Sequence, residues 1–194
     1  MKTRRLSTQK IVYTALFVAL IAVCAIIQVP IGMVPISLAT LAVILSGLIL
    51  GPWLGLLSTL CYLLLGLVGV PIFAGFKGGL SVIAGPTGGY LIGYLAISLF
   101  SGLFRRKNAV LAVAGIILGN FLCYLLGTLR FLSVTDYALK SALAVCVWPF
   151  LPGDAMKIAL SYLLFLKLQK PIVEHGLLSE EIGGVRKLDD NKSE

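Results

Sequence analysis

Residues 11–29 read IVYTALFVALIAVCAIIQV, a run without a single charged side chain. The charge-free stretch continues well beyond it: no Asp, Glu, Lys, Arg or His lies between residues 11 and 76. A bilayer crossing takes about 20 predominantly apolar residues, so this stretch has room for up to three. Over the whole chain of 194 residues, 59% are hydrophobic and 12% charged, with a mean hydropathy of +1.02. A soluble domain is roughly 45–50% apolar and about 25% charged. A water-soluble globule of this length has too little interior to hide that much apolar surface. The composition excludes soluble, disordered and nucleic-acid-binding classes. It predicts an all-α integral membrane protein, with residues 1–194 forming a single membrane domain.

Prolines, glycines and charges divide the chain into six expected spans. The first covers about 8–29. Its basic start and apolar run resemble a signal peptide, but the run is of spanning length and no small-residue cleavage site precedes a polar region. Pro30-Ile31-Gly32-Met33-Val34-Pro35 breaks it. Spans two and three cover about 37–50 and 52–70, reset at Pro52. Residues 71–85 carry Gly75, Gly78, Gly79 and Gly85 with one charge, Lys77, and read as a loop or re-entrant segment. Span four covers about 86–104, with Pro86 in its first turn. Span five covers about 110–129. Span six covers about 150–168, its entry made irregular by Pro149 and Pro152. Residues 171–194 form a polar tail.

Basic residues orient this bundle. With the N-terminus inside, the cytoplasmic segments hold Lys2, Arg4, Arg5, Lys10, Arg105, Arg106, Lys107, Lys167, Lys170, Arg186, Lys187 and Lys192. Lys77, Arg130 and Lys140 fall outside. The bias predicts a multi-pass protein of the cell membrane with both termini cytoplasmic. The 30–36, 71–85 and 130–137 segments then share the outer face.

Ionisable groups at membrane depth usually face the bundle interior or a water-filled cavity, and they mark function. Only Asp136 and Asp154 are acidic before residue 174. Asp154 is followed at i+3 by Lys157, which puts an acceptor and a donor on one helix face. Together they suit a small polar ligand with both kinds of group, or a structural ion pair. Asn120 lies mid-span, with Tyr124 one turn on. An Asn in lipid must find partners, either a neighbouring helix or a ligand. The glycines of Gly85-Pro86-Thr87-Gly88-Gly89-Tyr90 fit a tight turn with close helix approach, while free N–H groups at the helix start attract acceptors. Phe73, Tyr62, Tyr90 and Trp148 are candidate pocket aromatics.

Ala15, Ala19 and Ala22 form a smooth small-residue stripe on span one, and Gly115-x-x-x-Gly119 a second such signal on span five. Each admits a helix from within the chain or from another subunit. The chain has no G-x-x-x-x-G-K-[ST], so it carries no P-loop ATPase site. Its lone histidine, His175, lies in the tail, and no metal-ligand cluster or Ser/His/Asp set exists. Cys24, Cys61, Cys123 and Cys146 lie in apolar stretches and read as free thiols.

Val34-Pro35-Ile36-Ser37-Leu38-Ala39-Thr40-Leu41, Leu50-Gly51-Pro52, Tyr62 through Gly75, Gly85-Pro86-Thr87-Gly88-Gly89-Tyr90, and Pro149-Phe150-Leu151-Pro152-Gly153-Asp154 with Lys157 follow one another along the chain. Taken together and in this order, they resemble the BioY family, the biotin-binding S components of energy-coupling factor (ECF) transporters. The resemblance implies a six-helix bundle that binds biotin from outside. It implies a transmembrane coupling protein and two ATPases as partners, with membrane lipid around the bundle and no cofactor. It implies that Ala15, Ala19 and Ala22 dock to the coupling protein. The family usually has Thr at the position of Ser37 and Gln at that of Ala39, so this chain lacks the polar side chain at 39.

Biotin offers two ureido N–H groups, a ureido oxygen, a thioether ring and a carboxylate tail. The implied ligand contacts are Asp154, Lys157, Asn120 and Tyr124 for its polar atoms, Phe73 and Tyr90 around its ring, and Thr40, Thr87 and Gly88 from the matching segments. Segment 30–40 would act as a lid. The rival readings are an S component for another small vitamin, a secondary transporter coupled to protons through Asp154, and a scaffold subunit without a ligand.

Overall fold

Breaks in the apolar sequence become the corners of the fold. The computed structural model describes residues 8–29, 34–105 and 108–174. Helix α1 (Thr8–Ile26) stops short of the expected end of span one at Val29. Strand β1 (Gln28–Val29) pairs antiparallel with β2 (Ile36–Ser37), with Gln28 opposite Ser37 and Val29 opposite Ile36. Part of the expected lid is therefore a short hairpin, and residues 30–33 lie outside the described residues.

Helices α2 (Ala39–Leu50) and α3 (Pro52–Val68) meet at Gly51, whose φ of +89° suits a residue without a Cβ. Pro52 begins α3, where its missing N–H leaves nothing unsatisfied. The carbonyls ending α2 find a cation. Arg105 Nη1 donates to Leu48 O at 3.1 Å and to Ile49 O at 2.8 Å, the favourable charge for a helix C-terminus.

The expected loop 71–85 holds more structure than the sequence suggests. Phe73 and Lys77 bridge antiparallel, and α4 (Leu80–Ala84) precedes α5 (Gly88–Phe104). Helix α6 (Ala109–Val134) opens on Asn108, whose Oδ1 accepts from Leu111 N at 3.0 Å. It outruns the expected end of span five at 129, so Arg130 sits on the helix and not in a loop. The reason is Phe131, fully buried against Ala142 and Cys146, which gives the extra turn a core. Those two residues belong to α7 (Leu139–Cys146), a helix absent from the sequence reading. Helix α8 (Leu151–Glu174) follows at a 44° bend and runs past 168 into the expected polar tail. His175 and the rest of that tail lie outside the described residues.

The most extensive pairing is α5 with α6. Glycines allow it: a Cβ on Gly93 would lie 2.6 Å from Cys123 Cα, and one on Gly119 would lie 2.8 Å from Ile97 Cα. The Gly115-x-x-x-Gly119 signal thus serves a contact within the chain. Ser46, Ser58, Thr59 and Ser98 return their hydroxyls to carbonyls three or four residues back, which satisfies them without water. Ile21, Ile44, Leu48, Tyr62, Ile97 and Ile116 form the shared core of α1, α2, α3, α5 and α6. Helices α1 and α6 are each long and apolar enough to cross a bilayer, and the bent α7–α8 pair makes a third. Helices α2, α3 and α5 are apolar but have 12, 17 and 17 residues.

Candidate functional site

Chain direction alternates through the bundle. As a result β2, the first turn of α2, the first two turns of α8, the first half of α5 and the middle of α6 meet around one site. They enclose a cavity of about 50 Å³ lined by Val34, Pro35, Ser37, Thr40, Tyr90, Tyr94, Asn120, Cys123, Tyr124, Phe150, Asp154 and Lys157. That is room for a few waters. Pockets for small organic ligands are typically 300–1,000 Å³.

Asp154 and Lys157 supply its charge. Pro152 in the first turn of α8 and the i+3 spacing put both on the cavity face, each only 8% exposed. Lys157 Nζ donates to Asp154 Oδ1 at 2.9 Å. The other carboxylate oxygen, Oδ2, accepts from the Tyr124 hydroxyl. The pair is therefore neutral as a unit, which is what a site away from water demands. Capacity remains on both partners. An ammonium has three donors and a carboxylate about four lone-pair sites.

Asn120 and Tyr124 share one face of α6, as their spacing predicts. Asn120 Nδ2 donates to Ile116 O at 2.9 Å, which leaves its oxygen and its second N–H. The Tyr90 ring stands edge-on to Tyr124, with centroids 6.5 Å apart. Its hydroxyl donates to Cys146 O at 3.1 Å, so Tyr90 presents a ring to the cavity while its oxygen ties α5 to α7. Tyr94, one turn further along α5, lies beside Ser37 of the hairpin. Thr40 Oγ1 is buried and has no hydrogen-bond partner.

Six of the nine expected ligand contacts thus surround one cavity: Asp154, Lys157, Asn120, Tyr124, Tyr90 and Thr40. Three do not line it. Phe73 is 1% exposed in the core, edge-on to Tyr62 at 5.5 Å and packed on Gly66. Tyr62 OH donates to Ile72 O at 3.2 Å, and together these residues pin the 71–77 turn to α3. Thr87 is the residue before α5 and makes no capping bond with its side chain. Gly88 permits close passage of the Ile83 backbone. Trp148 is 68% exposed.

Tyr94, Ser37, Cys123 and Phe150 line the same cavity without being among the expected ligand contacts. Tyr94 was the most accessible of these, since it stands at i+4 from Tyr90. The four cysteines are free, and among the described residues no three of His, Cys, Asp and Glu gather as a metal site.

Two further concavities border the helices. Ala15, Ala19 and Ala22 line a groove with α3, along Leu57, Cys61, Leu64 and Leu65. An apolar groove of about 590 Å³ runs between α6 and α8, and Asn120, Tyr124 and Asp154 line it as well as the cavity.

The chain is similar to known proteins over most of its length. A family model, that of the BioY family, matches residues 1–173. The probable biotin transporter BioY of Pyrococcus horikoshii is 40% identical over 84% of this chain and 98% of its own length. The biotin transporter BioY of Thermotoga maritima is 37% identical over 86% of this chain and 99% of its own. A crystal structure of the S-component for biotin from an ECF-type ABC transporter superimposes with a TM-score of 0.79 at 26% identity, covering 88% of this chain and 95% of that one.

Proposed function

The chain belongs to the BioY family, and from that premise we propose that it is the biotin-binding S component of an ECF transporter. It is a transport subunit and not an enzyme. It takes biotin from outside the cell and hands it to partner subunits for ATP-driven uptake. The observation that carries this reading is the buried Asp154–Lys157 pair facing a cavity at one end of an apolar bundle.

The site chemistry suits the ligand. Asp154 accepts from a ureido N–H, and the free donors of Lys157 reach a ligand oxygen. Asn120 offers one acceptor and one donor. Tyr90, Tyr94, Val34 and Phe150 enclose the bicyclic ring. The cavity is too small for biotin as it stands, so the β2 segment, which supplies Val34, Pro35 and Ser37, moves aside to admit it. A buried polar group left unmatched costs about 1–3 kcal/mol, so vitamins without a ureido group are rejected.

Helices α1, α2, α3, α5, α6 and α8 are the six spans of this membrane protein. Helix α2 rises only about 18 Å at 1.5 Å per residue and is buried among α1, α3, α5 and α8. The basic bias places both termini in the cytoplasm of a multi-pass protein of the cell membrane. Energy then comes from a transmembrane coupling protein and two ATPases, since the chain has no P-loop. The open groove at Ala15, Ala19 and Ala22 is where the coupling protein docks.

Reconstitution of the lone chain in lipid vesicles tests the proposal. It predicts saturable biotin binding and no concentrative uptake driven by a proton gradient. Gradient-driven accumulation would establish a secondary transporter instead. Binding of a different vitamin would keep the class and change the substrate, and no binding at all would leave a scaffold.

A further inference from the structure

Tyr124 stands in a wall. Its side chain lines both the cavity and the apolar groove between α6 and α8. Its hydroxyl donates to Asp154 Oδ2, while Lys157 occupies Oδ1 on the same carboxylate. Among the described residues this is the only side-chain hydrogen bond between α6 and α8, two helices that share few contacts. The ring is held in turn by its edge contact with Tyr90, which is tied to Cys146.

A lone carboxylate rotates about its Cβ–Cγ bond, and each orientation presents different lone pairs to the cavity. Two donors, one on each oxygen, fix that rotation. One lone-pair site on each oxygen then remains for a ligand N–H. The donor on Oδ1 comes from the same helix as Asp154. The donor on Oδ2 comes from α6, so it also fixes where the carboxylate sits relative to the opposite wall.

We propose that Tyr124 is a positioning residue: it does not hydrogen-bond the ligand, but orients the Asp154 carboxylate that does. This rests on the reading of Asp154 as the acceptor for a ureido N–H. It replaces the expectation that the Tyr124 hydroxyl meets the ligand directly. A fixed acceptor discriminates between N–H groups at different angles, and a rotating one does not. Tyr124 therefore contributes to selectivity through Asp154 rather than through a contact of its own with the ligand.

The test is a double-mutant cycle on the purified full chain in detergent. Tyr124→Phe, Asp154→Asn and the double variant are titrated with biotin. They are also titrated with the two cyclic carbamate analogues, each of which has oxygen in place of one ureido N–H. Tyr124→Phe keeps the ring against Tyr90, and thermal unfolding verifies that each variant is folded.

Three results are expected. Tyr124→Phe weakens biotin binding about tenfold, the scale of a hydrogen bond to a charged group. Adding it to Asp154→Asn causes little further loss. The preference for biotin over at least one carbamate falls in Tyr124→Phe. A merely structural role would weaken all ligands by one factor and leave that preference unchanged, which would overturn the proposal. Multiplying losses in the double variant would return Tyr124 to direct contact. A folded wild-type chain that binds no biotin would overturn the functional reading itself.

Discussion

Lys157 Nζ lies 2.9 Å from Asp154 Oδ1, about one turn along α8, and both residues are 8% exposed. Each charge is tolerable there only because of the other. Breaking such a pair by removing one partner typically costs about 3–5 kcal/mol, whereas replacing both is often close to neutral.

Lys157→Met should therefore lower the thermal unfolding midpoint of the ligand-free protein markedly. The double variant Asp154→Asn/Lys157→Met should recover most of that loss while binding no biotin. Unfolding in detergent, followed with and without the vitamin, checks both. A double variant as unstable as Lys157→Met would show that the pair contributes more than mutual neutralisation.

Phe73 separates stability from binding. It fills the space over Gly66 and beside Tyr62 and lines no part of the cavity. Phe73→Ala should cost about 3–5 kcal/mol through the void it leaves. The milder Phe73→Leu should lower the unfolding temperature while changing the biotin dissociation constant by less than about twofold, as expected of sites without shared partners. A large loss of affinity in Phe73→Leu would restore the direct ligand contact expected from the sequence.

Gly93 and Gly153 make a matched comparison. A methyl at Gly93 would press into the Cys123 backbone, while one at Gly153 meets nothing within 4 Å. Gly93→Ala should destabilise by about 1–3 kcal/mol from overpacking. Gly153→Ala, in the first turn of α8, should be neutral or stabilising by less than about 1 kcal/mol, since Ala loses less backbone freedom on folding than Gly. Equal unfolding temperatures for the two would contradict the close α5–α6 packing.

What the sequence made legible, and what it hid, follows from the range of the forces involved. Chain breaks at Gly51-Pro52 and the i+3 and i+4 pairings of Asp154 with Lys157 and Asn120 with Tyr124 are local, and the sequence states them. Helix α7 escaped because its two buried residues, Ala142 and Cys146, are small and find their partner in Phe131, on another helix. The same contact carried α6 past its expected end. The sequence could not place Phe73, because aromatic character does not say which way a ring faces. Its contact with Tyr62 depends on how residues 71–77 fold back on α3.

Ala19 tests the partner surface. It is exposed on the groove between α1 and α3 and lines no part of the cavity. Ala19→Trp should leave biotin binding by the lone subunit unchanged and abolish ATP-driven uptake by the assembled transporter. Uptake at the wild-type rate would place the coupling protein on another face.

The central claim is that Asp154 recognises the ureido group of biotin, and one titration tests it most directly. The purified chain in detergent is titrated with biotin beside Asp154→Asn and beside an analogue lacking the ureido group. The account predicts tight, stoichiometric binding by the wild type that is lost with the analogue and weakened at least about tenfold in Asp154→Asn. Unchanged affinity in a folded Asp154→Asn variant would contradict it.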